Sequence, residues 1–216
     1  RKAPPMPAVI PLARAKAPVV VGDDSLADWP DKAGTRLPWF TVPAPHVPFG
    51  DVHMSWSPES LNLFNLAQNY ADLYLLAHDG EFPPSESYRI NLDVDAGAGM
   101  KHFALCLVPR PHSKYPGRFE LAPRLYAVAA DGSLASLETQ GVMQVLDKPL
   151  PHIALELALP AKLLGVEKLS AGQKLGLRIE AITFYRGMTM TLGAPTGKGG
   201  AWKTGAAPVA AVLADK

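Results

Sequence analysis

The sequence predicts an all-β protein that folds as a two-sheet antiparallel β-sandwich. Apolar residues make up 48% of the 216-residue chain, which is enough to fill a core between two sheets. Several short runs alternate apolar and polar residues with a period of two, as strands do when one face is buried. The 22 prolines and 18 glycines interrupt the chain too often for long helices.

The first clear strand signal is the run "DVHMSWS" at residues 51–57, whose alternation places Trp56 on the buried face. The turn-forming segment "SPES" follows, and "LNLFNLAQNY" then continues the alternation. These two runs predict a hairpin. A helix over residues 59–77 is the alternative, because some of its apolar residues fall near helical spacing, but the flanking alternation favours strands.

Four further segments carry strand signals. Residues 87–110 predict a second hairpin, whose "AGAG" turn accepts the positive φ that tight turns need. A strand pair is expected around Asp131 and Gly132, another strand at residues 152–160, and a long closing strand within residues 173–193. About eight to ten strands are predicted, which is typical of a jelly-roll or immunoglobulin-like sandwich.

The two ends of the chain differ from the middle. Residues 1–18 are rich in proline and alanine and predict an extended arm without a core of its own. Residues 205–216 predict a flexible or partner-docked tail, which leaves residues 19–204 as the sandwich domain. Arms of this composition commonly become ordered only on a partner.

Charge and cysteine content exclude several classes of function. The 21 basic and 20 acidic residues give a net charge of +1, which argues against nucleic-acid binding. No apolar run is long enough to span a bilayer, and the single cysteine, Cys106, excludes an internal disulfide. The chain begins at Arg1, as it would after removal of an export signal or excision from a longer protein, and we expect a periplasmic or extracellular location.

The segment "VVVGDDSLADWP" at residues 19–30 combines a β-branched run that predicts a short strand, an acidic turn and a Trp-Pro stop. Together with "MSWSPESLNLFNLAQNYAD" it resembles the opening of family 9 carbohydrate-binding modules and of the wider group of DOMON-like sandwiches. "YRINLDVDAGAG" is similar to a strand in which that family places an acidic residue. "HIALELALPAKLLG" with "GQKLGLRIEAI" is similar to its penultimate strand pair.

The resemblance covers roughly residues 19–192 and implies a non-catalytic, exported module that binds a glycan. Under it, Trp29 is expected to cap one end of the sandwich and Pro30 to end the first strand. Truncation of such a buried tryptophan costs about 3–5 kcal/mol.

Aromatic residues in predicted loops are the candidates for stacking on sugar rings, since loops at the ends of a sandwich often carry binding residues. These residues are Trp39, Phe40, Tyr185 and Trp202. A structural role is the alternative: Trp39 would then pin its proline-rich loop to the core, and Trp202 would anchor the C-terminal arm.

A calcium site is a second candidate. Asp93 and Asp95, with backbone carbonyls of the adjacent turn, would supply the hard oxygen ligands that calcium prefers. The resembling family often carries structural calcium. The alternative is that both residues lie on the polar face of a strand, where acidic residues are common.

Haem b is a third precedent among DOMON-like sandwiches, which use methionine with histidine or lysine as axial ligands. The residues of these types that lie in or near predicted strands are Met100, Lys101, His102, Met188 and Met190. Methionine in a β-sheet core usually serves only for packing, so haem binding is not expected.

Catalysis is not expected, because the sequence contains no HExxH, GxSxG or P-loop motif. Glu156 and Glu180 are conceivable as a glycosidase pair, but their alternation within strands favours a solvated outer face. The predicted function is therefore a glycan-binding module. The alternatives are a ligand-less scaffold or accessory subunit that docks through its terminal arms in a larger envelope assembly, and a haem-binding domain.

Overall fold

A computed structural model describes residues 8–23, 25, 27–29, 35, 37, 50–68, 87–111, 113–116, 119–147, 152–182, 189–192 and 208–215. It confirms the all-β prediction. The described strands are β1 (Ile10–Arg14), β2 (Gly50–Trp56), β3 (Ser60–Gln68), β4 (Ser87–Asp95), β5 (Met100–Pro111), β6 (Phe119–Val128), β7 (Leu134–Leu137), β8 (Met143–Asp147), β9 (His152–Pro160), β10 (Lys174–Ile182), β11 (Thr189–Leu192) and β12 (Val209–Leu213).

The strands form two layers that are joined along one edge. The front sheet has the order β7-β6-β5-β4-β10-β12, with β11 paired to β10, and the back sheet has the order β2-β3-β9-β8. Strand β1 lies between β12 and β2 and pairs with both in parallel. The other pairings among the described strands are antiparallel.

The core fills the space between the inner faces of the two sheets. The alternation predicted which residues turn inward, and the predicted burial of Trp56 is confirmed, since it is 2% exposed. Its indole Nε1 also donates a hydrogen bond of 2.9 Å to the backbone oxygen of Ala214. Buried leucines from both sheets form one cluster, which includes Leu61, Leu63, Leu92, Leu105, Leu125, Leu155, Leu157, Leu159, Leu175 and Leu177.

The long closing strand is confirmed as β10, and a shorter strand, β11, pairs back on it with Ile179 opposite Leu192 and Ile182 opposite Thr189. One local prediction was wrong. The run at residues 19–21 is not a strand and leads into a turn at Gly22, whose φ is 101°. For the segment 59–77 the strand prediction is confirmed at residues 60–68, and the remainder lies outside the described residues.

The structure also corrects the prediction for the ends of the chain. Residues 10–14 and 209–213 are strands of the sandwich rather than arms outside it. Ile10 and Leu12 are 3% and 1% exposed, and Leu213 is 1% exposed, so both ends contribute to the core. Pro11 within β1 and Pro208 just before β12 are both exposed, so neither takes the place of a core side chain. Within the described part of the chain, no helix is long and apolar enough to cross a membrane.

Candidate functional site

A row of polar residues crosses the outer face of the front sheet. Asp93 on β4 lies opposite His102 on β5 and Gly176 on β10, and in the next row Asn91 lies opposite Arg178. The period of two places them outward because Leu92, Phe103 and Leu177, their neighbours in sequence, are buried in the core. We call Asn91, Asp93, His102, Gly176 and Arg178 the front-face cluster.

Asp93 and His102 form a hydrogen-bonded pair within this cluster. The distance between Nδ1 of His102 and Oδ1 of Asp93 is 2.6 Å, and the two side chains are 29% and 21% exposed. From the sequence, Asp93 is a calcium candidate and His102 a haem candidate, whereas the register of β4 and β5 brings the two residues together. Each side chain therefore orients the other toward the outer face.

Gly176 makes room for this pair. A Cβ atom at this position would lie 2.9 Å from Cγ of Pro208 and 3.1 Å from Oδ2 of Asp93. Since Pro208 and the carboxylate both occupy the space that a side chain would need, only glycine fits without displacement.

We predict that Gly176→Ala destabilises the protein by about 1–3 kcal/mol, because overpacking displaces the proline ring or the carboxylate. Ala210→Ser, on the paired and exposed position of β12, is the control and should change stability by less than about 0.5 kcal/mol. Urea unfolding of both variants tests this. Equal midpoints for Gly176→Ala and the control would show that the close approach has no energetic consequence.

Arg178 is the most unusual member of the front-face cluster. It is 2% exposed, yet its Nε and Nη1 atoms are buried and have no hydrogen-bond partner among the described residues. The guanidinium group stays protonated in proteins and offers five N–H donors. A buried charge without a partner is costly, and most buried polar groups in folded proteins are satisfied. This side chain therefore has unused capacity to bind an acceptor.

An apolar group adjoins the polar cluster on the same face. Ala104 and Val128 are buried there, and the half-buried Tyr126 and Leu134 pack against them. Ala104 on β5 lies opposite Asn91 on β4, and Val128 on β6 lies opposite His102 on β5. The front face thus combines hydrogen-bonding groups with an apolar surface, which is the combination that small-ligand sites use.

The outer face of the back sheet carries a second group, which we call the back-face cluster: Trp29, His53, Phe64 and Glu156. Trp29 is 3% exposed and its ring centroid lies 6.1 Å from that of Phe64. His53 stacks on the same phenylalanine at 5.7 Å. Trp29 therefore covers the outer face of the back sheet, and the prediction that it caps one end of the sandwich was wrong. Pro30 lies outside the described residues.

Glu156 is the buried acid of the back-face cluster. It is 0% exposed, its Oε1 accepts a 3.0 Å hydrogen bond from Nε1 of Trp29, and its Oε2 has no partner among the described residues. Burial raises the pKa of Glu156 to about 7; the Trp29 bond opposes this shift, and the negative charges of Asp28 and Asp23 add to it. The expectation of a solvated glutamate is therefore wrong, because the Trp29 segment covers the strand.

A cleft of about 40 Å³ lies beside Trp29 and is lined in part by Arg14, Lys16, Asp28 and Ser55. A volume of this size holds a water molecule or two rather than a sugar ring. The segment is held in place by Asp28, whose Oδ2 accepts a 2.7 Å hydrogen bond from the backbone nitrogen of Val20. We conclude that the back face serves to hold Trp29 and the residues next to it, and that the front face is the better candidate for a ligand site.

The four predicted stacking residues, Trp39, Phe40, Tyr185 and Trp202, lie outside the described residues, so their role stays a prediction. Arg178 and Asn91 were not singled out from the sequence. A charged residue between Leu177 and Ile179 in an alternating run was the available signal, but it looked like any outward-facing position.

The calcium candidates each have protein partners. Asp93 is bonded to His102, while Oδ1 of Asp95 accepts a 2.9 Å hydrogen bond from the backbone nitrogen of Gly97. The backbone oxygen of Asp95 accepts another from Nε2 of Gln173 at 2.7 Å. Across the described residues, no three or more His, Cys, Asp or Glu side chains are grouped as metal ligands.

The haem candidates are dispersed. Met100 is 47% exposed, and the Lys101 side chain passes over Gly165 on the β9–β10 connection. His102 is engaged by Asp93. Met188 and the side chain of Met190 lie outside the described residues.

The fold is the β-sandwich seen in carbohydrate-binding modules of family 9, and the predicted resemblance is confirmed at the level of the fold. A family 9 module from Caldicellulosiruptor kristjanssonii in complex with glucose is 14% identical, with a TM-score of 0.52 and 95% of each chain covered. One in complex with cellotriose, from the same organism, is 12% identical, with a TM-score of 0.52 and coverage of 96% of this chain and 94% of that one.

A proposed carbohydrate-binding protein from Bacteroides uniformis has a TM-score of 0.61 at 9% identity, covering 95% of this chain and 97% of that one. No protein-family model matches the sequence, and no curated protein matches it either. The similarity is therefore one of three-dimensional structure.

Proposed function

We propose that this chain is a non-catalytic carbohydrate-binding module that binds a glycan. The observation that carries the proposal is the similarity in fold, over about 95% of both chains, to a module that was solved in complex with glucose. A second neighbour, solved in complex with cellotriose, supports it.

The front-face cluster is the part of the described structure that is best suited to a sugar. A sugar presents hydroxyl groups that both donate and accept hydrogen bonds, and the cluster offers both kinds of partner. Arg178 and Asn91 supply donors, while the Asp93 carboxylate supplies acceptors. The adjoining apolar group, through its half-buried members Tyr126 and Leu134, suits the C–H faces of a sugar ring.

Stacking residues are expected to complete the site. We propose that Trp39, Phe40, Tyr185 and Trp202 supply aromatic faces from loops, since aromatic rings bury large areas with specific geometry. Tyr185 lies three residues after the end of β10, the strand that carries Arg178. An exported location, where glycans are abundant, accords with this function.

Isothermal titration with a panel of mono- and oligosaccharides tests the proposal. We expect at least one sugar to bind and Trp39→Ala or Trp202→Ala to weaken that binding by roughly tenfold or more, as loss of an aromatic contact does. Tyr115→Ala is the matched control, because Tyr115 is 54% exposed on the β5–β6 connection and is not a predicted stacking residue. It should leave the affinity unchanged.

The absence of heat with every sugar of a broad panel, from a protein whose fold is verified by circular dichroism, would contradict the proposed function. If sugars bind but neither tryptophan variant weakens them, the glycan site exists and the predicted stacking residues are wrong.

A further inference from the structure

We propose that Arg178 is the anion-binding centre of the front face and that the preferred ligand is an acidic sugar, one that carries a carboxylate or sulfate group. This inference deepens the proposed function and rests on it. It assigns a chemical class to the glycan and a role to a residue that the sequence pattern did not reveal.

The Arg178 guanidinium group is buried and, within the described part of the chain, lacks hydrogen-bond partners at two of its nitrogens. Arg178 is 2% exposed, and its Nε and Nη1 atoms are both buried without a hydrogen-bond partner among the described residues. Removal of a guanidinium from water carries a large desolvation cost, which is offset only by a counterion or by several good hydrogen bonds. An external anion would supply both.

The neighbouring strand β4 places Asn91 and Asp93 near Arg178. Asn91, opposite Arg178 on β4, is neutral. The nearest acidic residue of that strand, Asp93, lies opposite Gly176 instead, with Oδ1 bonded to His102 and Oδ2 over Gly176. The Asp93 carboxylate is thus committed to other partners.

Neutral and anionic ligands differ in whether they compensate the buried positive charge of Arg178. A neutral sugar offers hydroxyl acceptors but leaves the buried positive charge uncompensated. A carboxylate or sulfate oxygen accepts charge-assisted hydrogen bonds, which are roughly twice as strong as neutral ones. Arginine is also the residue best suited to planar carboxylates and to sulfate-like anions.

Access to the site adds a kinetic expectation. Since Arg178 is almost inaccessible to solvent, entry of the anionic group requires a local opening of the front face. We therefore expect association to be slower than at a solvent-exposed site.

The experiment compares matched sugars at constant ionic strength. Glucuronic and galacturonic acid, glucose and galactose, and galactose 6-sulfate are titrated into the wild-type protein and into Arg178→Met and Arg178→Lys. Inorganic sulfate alone is the ion control. We expect an acidic sugar to bind at least about tenfold more tightly than its neutral counterpart, and Arg178→Met to remove that preference.

Arg178→Met also provides a test that is separate from binding. Because an apolar residue replaces an unpaired buried charge, the free variant should be as stable as the wild type or more stable. Acidic sugars should raise the melting temperature of the wild type but not of Arg178→Met, and Arg178→Lys should retain part of the effect. Glucuronic and galactose-sulfate arms then distinguish the carboxylate from the sulfate.

Several outcomes would overturn the inference. If neutral and acidic sugars bind equally, or if Arg178→Met leaves the preference intact, the anion assignment is wrong while the glycan-binding function stands. Binding of inorganic sulfate with the same affinity as the acidic sugars would show an ion site without sugar recognition. If no sugar binds at all, the proposed function itself fails.

Discussion

Deletion of residues 1–14 is expected to leave a protein that does not fold. Strand β1 lies between β12 and β2 and hydrogen-bonds to both, with Ile10 paired to Ala211 and Ala13 paired to Ser55. Its removal would open the join between the two sheets and expose two unpaired strand edges, which favour aggregation. It would also remove two buried side chains, Ile10 and Leu12, from the core.

A single substitution gives the same test in graded form. Leu12→Ala removes a side chain that is 1% exposed and should destabilise the protein by about 2–5 kcal/mol, a large part of the roughly 5–15 kcal/mol that holds a typical domain folded. Val9→Ala is the matched control, because Val9 is 46% exposed, and its effect should stay below about 0.5 kcal/mol. Thermal and urea unfolding report both values.

A stable protein without residues 1–14 would contradict this prediction. If the protein without residues 1–14 is monomeric and melts at the wild-type temperature, the segment is a dispensable arm. The docking function predicted for such an arm would then regain its basis.

The second large effect is a loss of stability as the pH rises from about 4.5 to 7. Burial raises the pKa of Glu156 from 4.5 to about 7, so the folded protein binds a proton at this site more tightly than the unfolded chain does. The free energy of unfolding therefore falls with rising pH through this window and is constant for this group above it. At about 1.4 kcal/mol per pKa unit, the loss amounts to roughly 3–4 kcal/mol.

Two variants isolate this effect. Glu156→Gln keeps an acceptor for Nε1 of Trp29 but carries no charge, so it should be more stable than the wild type at pH 8 and should lack the loss of stability between pH 4.5 and 7 that Glu156 causes. Trp29→Phe removes the hydrogen bond that lowers the pKa of Glu156, so the loss of stability should extend to higher pH. Urea midpoints measured at half-unit pH steps give the comparison.

A wild-type stability that rises between pH 5 and 7, with the same slope in Glu156→Gln, would show that Glu156 is not the titrating group. If stability depends on pH in Trp29→Phe just as it does in the wild type, the indole hydrogen bond has no effect on the pKa of Glu156.

Alternation predicted the central strands because it reports which face of a strand is buried. The runs around Trp56, Leu92, Leu157 and Leu177 all turn their apolar residues into the core, as expected. The same signal failed at the ends of the chain. Strand β1 is short and contains Pro11, and its parallel partners are distant in sequence, so composition indicated an arm where long-range pairing makes a strand.

The candidate sites depended on contacts that a local pattern does not contain. Glu156 was expected to be solvated because its position faces outward, but Trp29, far away in sequence, covers it. Asp93 and His102 meet through the register of a hairpin, and Arg178 faces them only because β10 pairs with β4. A period of two indicates the face of a strand and not what lies over that face.

The most direct test is a titration of ¹⁵N-labelled protein with the acidic and neutral sugars, followed by two-dimensional NMR. We predict shifts for the backbone amides of Asn91, Asp93 and His102 and for the Nε–H of Arg178, while the indole Nε1–H of Trp29 on the back face stays in place. An unperturbed front face with every sugar, or shifts confined to the Trp29 region, would contradict the account.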